Sequence, residues 1–286
     1  MNNALEITSL CKEFKEFSLS NVSFNLPEGY IMGLIGSNGS GKTTVLKLIL
    51  NMLKKSSGEI KVFSLDHIKH EEDIKQNIGV VFDQTYMVDN WTLFDVERAV
   101  KGFYKKWDSG KYHKLIKDFN LTAGKRLKDL SRGMKVKVMI AIALSHDARL
   151  LILDEPTSSL DPVGRDELLD ILGTYILKED KSVLFSTHLT ADLEKIADYI
   201  TFLNNGRIVY SGTKDELLEN YVILKGDKKE ITANQKRILT GYREFNTGFE
   251  GMVQYNNFTG FSPRIISEPA SLDDIIIFMN RRERMA

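Results

Sequence analysis

The chain has 286 residues, and its 39 Lys plus Arg balance 39 Asp plus Glu, so the formal net charge is zero. That length holds one large domain and a small one with a sizeable core, and the balanced charge gives no broad positive field for a nucleic-acid partner. The single cysteine, Cys11, excludes an intrachain disulfide, argues against a cysteine-based zinc site and suits a reducing cytosol. No stretch approaches the roughly 20 apolar residues of a membrane-spanning helix, and Met1–Ser9 lacks the basic-then-apolar order of a signal peptide. If the protein works at a membrane, another polypeptide carries it to the inner face.

In chain order, Leu5–Leu10, Leu19–Leu26 and Tyr30–Ile35 read as strands, with Pro27-Glu28-Gly29 turning between the last two. The third strand runs into a Gly-rich segment. Lys42–Leu53 follows with helical spacing of Val45, Leu46, Leu48, Ile49, Met52 and Leu53. Gly79–Phe82 is a short apolar strand. From about residue 88 to 146 the texture is helical, with Phe94–Trp107 (weakened by Gly102), Lys111–Phe119 and Gly133–Ser145 as helices of an insertion. Strands return at Leu150–Leu153, Ser182–Ser186 and Tyr199–Leu203, alternating with helices at Gly164–Lys178 and Ala191–Ile196. Such alternation predicts an α/β fold, a parallel sheet with helices on both faces.

Beyond Gly212 the composition shifts. A helix at Lys214–Tyr221 precedes a polar stretch rich in Gly, Asn and aromatics, closed by a helix at Ser271–Asn280 with Ser271 and Asp274 at its start. The division expected is a domain over 1–212 and a small α+β domain over 213–286.

Gly36-Ser37-Asn38-Gly39-Ser40-Gly41-Lys42-Thr43 satisfies G-x-x-x-x-G-K-[ST], a pattern that average usage supplies by chance in roughly one chain in a hundred of this length. Its place between a strand and a helix removes most of the remaining room for a bland glycine turn. The glycines let successive N–H groups point inward at phosphate oxygens, the helix adds its positive end, Lys42 reaches the β- and γ-phosphates, and Thr43 suits Mg²⁺. Thr44 extends the same turn. Leu150–Leu153 ends in Asp154 and Glu155. Asp154 is placed to hold Mg²⁺, and Glu155 to orient or deprotonate a water. Alone, that pair could be a solvated acidic turn before Pro156.

By this point the residues resemble the ATP-binding cassette of ABC transporters, of the bacterial ABC-2-type exporter branch. Gln84 matches that family's glutamine loop, Leu130-Ser131-Arg132-Gly133-Met134 its signature, Ser159-Leu160-Asp161 the loop beyond the acidic strand, and Ser186-Thr187-His188 its histidine switch. Phe14 lies where the family places an aromatic against adenine, with Phe17 a nearby competitor. The resemblance spans about residues 4–212 and implies a P-loop NTPase cassette with an antiparallel β subdomain and a helical insertion. It also implies ATP and Mg²⁺ as ligands, with Thr43, Gln84 and Asp154 around the metal and Lys42, Gln84, Glu155 and His188 in the chemistry. Ser131 and Gly133 would serve the ATP of an opposed cassette in a head-to-tail homodimer or heterodimer, which in turn would drive a membrane-spanning permease, and Asp161 is implied as a further nucleotide-binding residue.

The signature departs from the usual Leu-Ser-Gly-Gly-Gln: Arg132 replaces the first glycine, and Met134 replaces the glutamine and its hydrogen bonds. Variants of this kind resemble export systems with a separate membrane subunit, some moving antimicrobial or amphipathic peptides and drugs. Tyr86, Met87, Trp91, Leu93 and Phe94 either meet that subunit or fill the insertion's own core. The alternative is a soluble, non-transport ABC ATPase, against which one phosphate loop, the absence of long heptads and the neutral charge all speak. A cassette that binds ATP without hydrolysing it is disfavoured by Glu155 and His188.

Overall fold

The structure, a computed structural model, describes residues 2–82, 87–178, 180–258 and 260–285, the side chains of 281–285 excepted. The elements are β1 (Asn3–Glu13), β2 (Ser18–Pro27), β3 (Ile31–Ile35), α1 (Lys42–Ile49), β4 (Ser57–Val62), β5 (Leu65–Asp66), α2 (Glu71–Gln76), β6 (Ile78–Val81), α3 (Leu93–Val100), α4 (Ser109–Asp118), α5 (Arg132–Leu144) and β7 (Leu150–Asp154). There follow α6 (Pro162–Tyr175), β8 (Ser182–Thr187), α7 (Thr190–Ile196), β9 (Tyr199–Asn204), β10 (Arg207–Thr213), α8 (Lys214–Glu219), β11 (Tyr221–Gly226), α9 (Ala233–Ile238), β12 (Gly241–Phe245), β13 (Gly248–Gln254), β14 (Ile266–Pro269) and α10 (Leu272–Met285).

The central sheet has the order β10-β9-β3-β8-β7-β6. The four pairings from β9 to β6 are parallel, and β10 closes the edge antiparallel to β9. Because side chains alternate across a strand, each central strand feeds two cores at once. Ile31, Ile35, Leu151, Leu153, Val183 and Phe185 enter one buried cluster. Met32, Leu34, Leu150, Ile152 and Leu184 enter the other. Covering on both faces explains why these segments read as unbroken apolar runs. The second face is covered by α1 and by an antiparallel sheet, β2-β1-β4-β5. The first face is covered by helices that include α5, whose residues Val138 to Leu144 are all buried.

Helices α3 to α5 lie between β6 and β7, and Thr92 starts α3 with a reciprocal capping box to Asp95. Beyond β10 a third sheet, β12-β13-β11-β14, is antiparallel throughout. Ile223 and Met252 on one of its faces join the large core together with Leu272, Ile275 and Phe278 of α10. Leu224, Phe249 and Val253 on its other face form a small separate core.

At the end of α5, His146 is buried, lies flat on Tyr104 with ring centroids 3.8 Å apart, and neither ring nitrogen reaches a hydrogen-bond partner. Burial pushes its pKa down to about 4. The unfolded chain therefore binds more protons than the native one between about pH 6.5 and 4, and stability falls with falling pH across that window, by up to about 3 kcal/mol. His146→Phe keeps the stack and removes the titration, so thermal unfolding measured from pH 7 to 4.5 should show a smaller loss of Tm than in the wild type. An unchanged pH slope would refute this reading of His146.

Candidate active site

The loop between β3 and α1 is shaped by glycines whose positions admit no side chain. A Cβ on Gly36 would stand 2.2 Å from the Leu203 carbonyl oxygen, and Gly39 and Gly41 have φ of 81° and 108°. Gly41 is also the N-cap of α1 and gives it no side-chain cap. The first N–H groups of α1, at Lys42, Thr43 and Thr44, have no intrahelical acceptor and carry the positive end of the helix dipole. Ser40 is buried with its hydroxyl unpartnered. A buried donor and a ring of uncommitted amides fit a phosphate chain. Asn38, Gly39, Ser40, Gly41, Lys42, Thr43, Thr44 and Glu155 line a cavity of about 230 Å³ there, together with Phe17. The Lys42 ammonium is nearly buried, donating to the carbonyls of Gly36 (2.8 Å) and Ser37 (3.4 Å).

Asp154 ends β7 beside Ser186 of β8, its partner in the parallel register. The Ser186 hydroxyl donates to Asp154 Oδ1 (2.6 Å), and the Thr43 hydroxyl donates to Asp154 Oδ2 (2.8 Å). Both carboxylate oxygens are thus fixed, and hard oxygen donors from two elements converge where phosphate would lie, a set suited to Mg²⁺. Ser186 was legible only as part of its Ser-Thr-His triplet; the strand register assigns it this contact.

Glu155 has a left-handed backbone, φ 51°, which is costly for a residue with a Cβ. Its N–H is held by the Ser186 carbonyl (3.0 Å), and its own carbonyl accepts from the Ser158 hydroxyl (2.9 Å) and amide (3.2 Å). This bend turns the carboxylate into a bridge: Oε1 lies 3.4 Å from Lys42 Nζ, and Oε2 lies 2.7 Å from His188 Nδ1. An ionised carboxylate only accepts, so in that contact Nδ1 carries the proton. Lys42 at the start of α1, Glu155 just after β7 and His188 just after β8 are therefore joined in one row.

The remaining residues lie apart from this row. Ser131 caps α5, accepting from the Met134 amide (3.2 Å), and is exposed. A Cβ on Gly133 would meet Leu160 Cδ2 at 3.0 Å and the Ser159 carbonyl oxygen at 3.1 Å, so the signature turn rests on the loop before α6. Asp161 caps α6, its Oδ1 accepting from the Gly164 amide at 2.7 Å. Met134 packs against the large core. Phe14 is exposed, with its ring centroid 6.3 Å from that of Phe17, and it is Phe17 that lines the cavity and touches Gly41. Gln84, like Tyr86, lies outside the described residues.

The sequence pattern of the ABC transporter family matches residues 19–158. The chain is 35% identical over 260 residues to the uncharacterized ABC transporter ATP-binding protein YxlF of Bacillus subtilis, covering 88% of this chain and 83% of that one. It is 32% identical to the lantibiotic transport ATP-binding protein SrtF of Streptococcus pyogenes, covering 77% of this chain and 98% of that one. It also matches the bacitracin transport ATP-binding protein BcrA of Bacillus licheniformis at 28% identity, over 73% of this chain and 69% of that one. A solved ATP-binding subunit of an ABC transporter superposes with TM-score 0.69 at 28% identity, over 75% of this chain and 91% of that one. A dimeric ATP-binding cassette in a post-hydrolysis state with ADP and Pi gives 0.64 at 25% identity, over 73% and 98%.

This chain belongs to the ATP-binding subunits of ABC transporters, and its fold is the P-loop cassette of that family. It is an ATPase, the motor subunit of a transporter rather than a soluble ATPase of another kind. No helix among the described residues is long and apolar enough to cross a membrane.

Proposed function

We propose that two copies of the chain close head to tail around two ATP molecules and so drive export through a separate membrane-spanning subunit. The row Lys42–Glu155–His188 carries this reading, because it brings a cation, a carboxylate and an imidazole to one end of the phosphate cavity. The loop amides and Lys42 bind the phosphates, and Phe14 offers its exposed ring to adenine. Thr43, Asp154 and Gln84 would hold Mg²⁺, which would neutralise charge at the phosphate oxygens. Glu155 orients the attacking water and accepts its proton. His188 holds the γ-phosphate by a hydrogen bond. Ser131 and Gly133 of the opposed copy close over the same phosphate, with Asp161 at the edge of the seam. Each chain contains both halves of the arrangement, so two identical copies complete two sites, which favours a homodimer.

In the same reading residues 1–212 form the cassette, with its insertion at about 88–146, and 213–286 a small accessory unit. The names of SrtF and BcrA favour an amphipathic or antimicrobial peptide as cargo. A peripheral position on the inner membrane face follows from the role.

The partner's docking place is an apolar groove of about 620 Å³ whose walls include Leu50, Met52, Phe82, Met87, Phe103 and Tyr104. Phe103 and Met52 are exposed there, and the apolar face of a short helix of the membrane subunit suits this lining. The groove adjoins the end of β6, from which the chain continues to Gln84. Of the other aromatic and apolar candidates, Leu93 is core, Trp91 packs against the core, and Phe94 is exposed. Phe103→Glu should reduce co-purification with the membrane subunit from detergent-solubilised membranes at least fivefold and leave the basal ATPase rate of the isolated chain unchanged. Full recovery of the complex would place the contact elsewhere.

A further inference from the structure

Helix α7 starts two residues after His188, and little of its own sequence fixes where it lies. It has seven residues, and its N-cap Leu189 offers no side-chain cap. A helix this short takes its position from tertiary contacts. From below, Leu193 sits on Gly33 of β3, where a Cβ would come within 2.6 Å of the leucine methyls. On one flank α6 reaches it through Arg165 Nε, 3.8 Å from Asp192 Oδ1, and through the Lys195–Asp166 pair. On another flank stands the start of α10, some 80 residues away in sequence. There the Thr190 hydroxyl donates to Asp273 Oδ1 (2.8 Å), and the Leu272 amide donates to Glu194 Oε1 (2.8 Å). Leu193 and Ala197 share their buried cluster with Leu272, Ile275 and Phe278.

The two polar contacts run in opposite directions. Residue Thr190 of α7 gives a hydrogen bond to α10, and Glu194, one turn on, takes one from the first amide of α10. A carboxylate at a helix N-terminus is favoured by the dipole as well as by the hydrogen bond. Ser271 and Asp274 close the same terminus with reciprocal hydrogen bonds, which makes it a firm anchor rather than a fraying end. Thr190 is thereby fixed at the point where the chain leaves the histidine. Thr187, on the other side of His188, is fixed by β8 and by its hydroxyl, which accepts from the Leu189 amide at 2.9 Å.

We infer that Asp273 and Glu194 are positioning residues: through Thr190 and α7, the C-terminal unit sets the place of His188 beside Glu155. The inference rests on the role given above to His188 and adds to it a control point outside the cassette. Anything that shifts α10, such as a partner bound to the C-terminal sheet, would then alter turnover without touching the nucleotide.

The test uses the full chain and measures kcat, KM for ATP, nucleotide affinity by equilibrium binding, and Tm. Loss of one hydrogen bond of this kind gives an expected drop of about fivefold in kcat for Asp273→Ala, with KM and nucleotide affinity within experimental error of wild type and Tm lowered by no more than about 4 °C. Thr190→Val should give the same drop, and the double variant no further drop, because both remove one contact. Asp273→Asn retains an oxygen that accepts from Thr190 and should restore kcat to within twofold. Wild-type kcat in Asp273→Ala overturns the inference, as does a loss that Asp273→Asn fails to rescue or that appears equally in KM and Tm. His188→Ala separates the two claims. If it turns over normally, the role of His188 is wrong; if it is inactive while Asp273→Ala is normal, only the link to α10 is wrong.

Discussion

Lys42→Ala should lose ATP affinity by about a hundredfold, and steady-state hydrolysis should vanish at ordinary nucleotide concentrations. The expectation follows from where the ammonium stands. It is nearly buried, satisfied by the Gly36 and Ser37 carbonyls and 3.4 Å from the Glu155 carboxylate. Such a cation is already desolvated, so its interaction with phosphate oxygens is charge-assisted and little screened. Removing it deletes the attraction and leaves Glu155 facing the phosphate chain without the nearby positive charge. Two to three kcal/mol, an ordinary value for a hydrogen bond to a charged group, corresponds to about a hundredfold in affinity. Titration of the purified variant with a fluorescent ATP analogue reads this directly, and wild-type affinity would show that the phosphates do not lie on this loop.

Glu155→Gln should separate binding from turnover. Glutamine preserves the volume and keeps an oxygen that can accept from His188 Nδ1, so the row from Lys42 to His188 survives in shape. What is lost is the ability to take a proton. General-base contributions of about 10² to 10⁴ in rate set the expected fall in kcat, whereas nucleotide affinity should hold or rise, since one negative charge near the phosphates has gone. The left-handed backbone at Glu155 is held by Ser186 and Ser158 through main-chain atoms, and the substitution leaves those contacts in place. Single-turnover hydrolysis measures the chemical step apart from product release. Wild-type turnover would remove Glu155 from the chemistry and leave the phosphate loop untouched.

The readability of the chain depended on how local each signal was. The phosphate loop is a continuous run whose spacing dictates its shape, and it sits between β3 and α1 as its residue types require. Asp154 and Glu155 were recognisable as the end of an apolar strand. Their coupling to Ser186, Thr43, Lys42 and His188 spans between 32 and 113 positions and needed the parallel register of β7 with β8. The helix expected to reach Leu53 ends at Ile49, where Asn51 takes a left-handed conformation that breaks the turn although apolar periodicity continues. Strand β4 and the four strands of the third sheet went unrecognised. Gly248–Gln254 carries two glycines and two polar residues among its seven, and it is a strand because partners on both sides supply the hydrogen bonds. Phe14 and Phe17 could not be separated by spacing; only the fold puts the second in the cavity wall and leaves the first exposed beside it. The grip of α10 on α7 has no sequence signature at all, since it joins residues 83 apart.

The central claim is a seam in which ATP joins two copies of the chain, with Ser131 and Gly133 of one facing Lys42 and Glu155 of the other. Sedimentation velocity of the Glu155→Gln protein, with and without Mg-ATP, tests it most directly. A monomer is expected without nucleotide and a dimer with it, the dimer dispersing again when Ser131→Ala is added. A species whose sedimentation is the same in both conditions would contradict the seam.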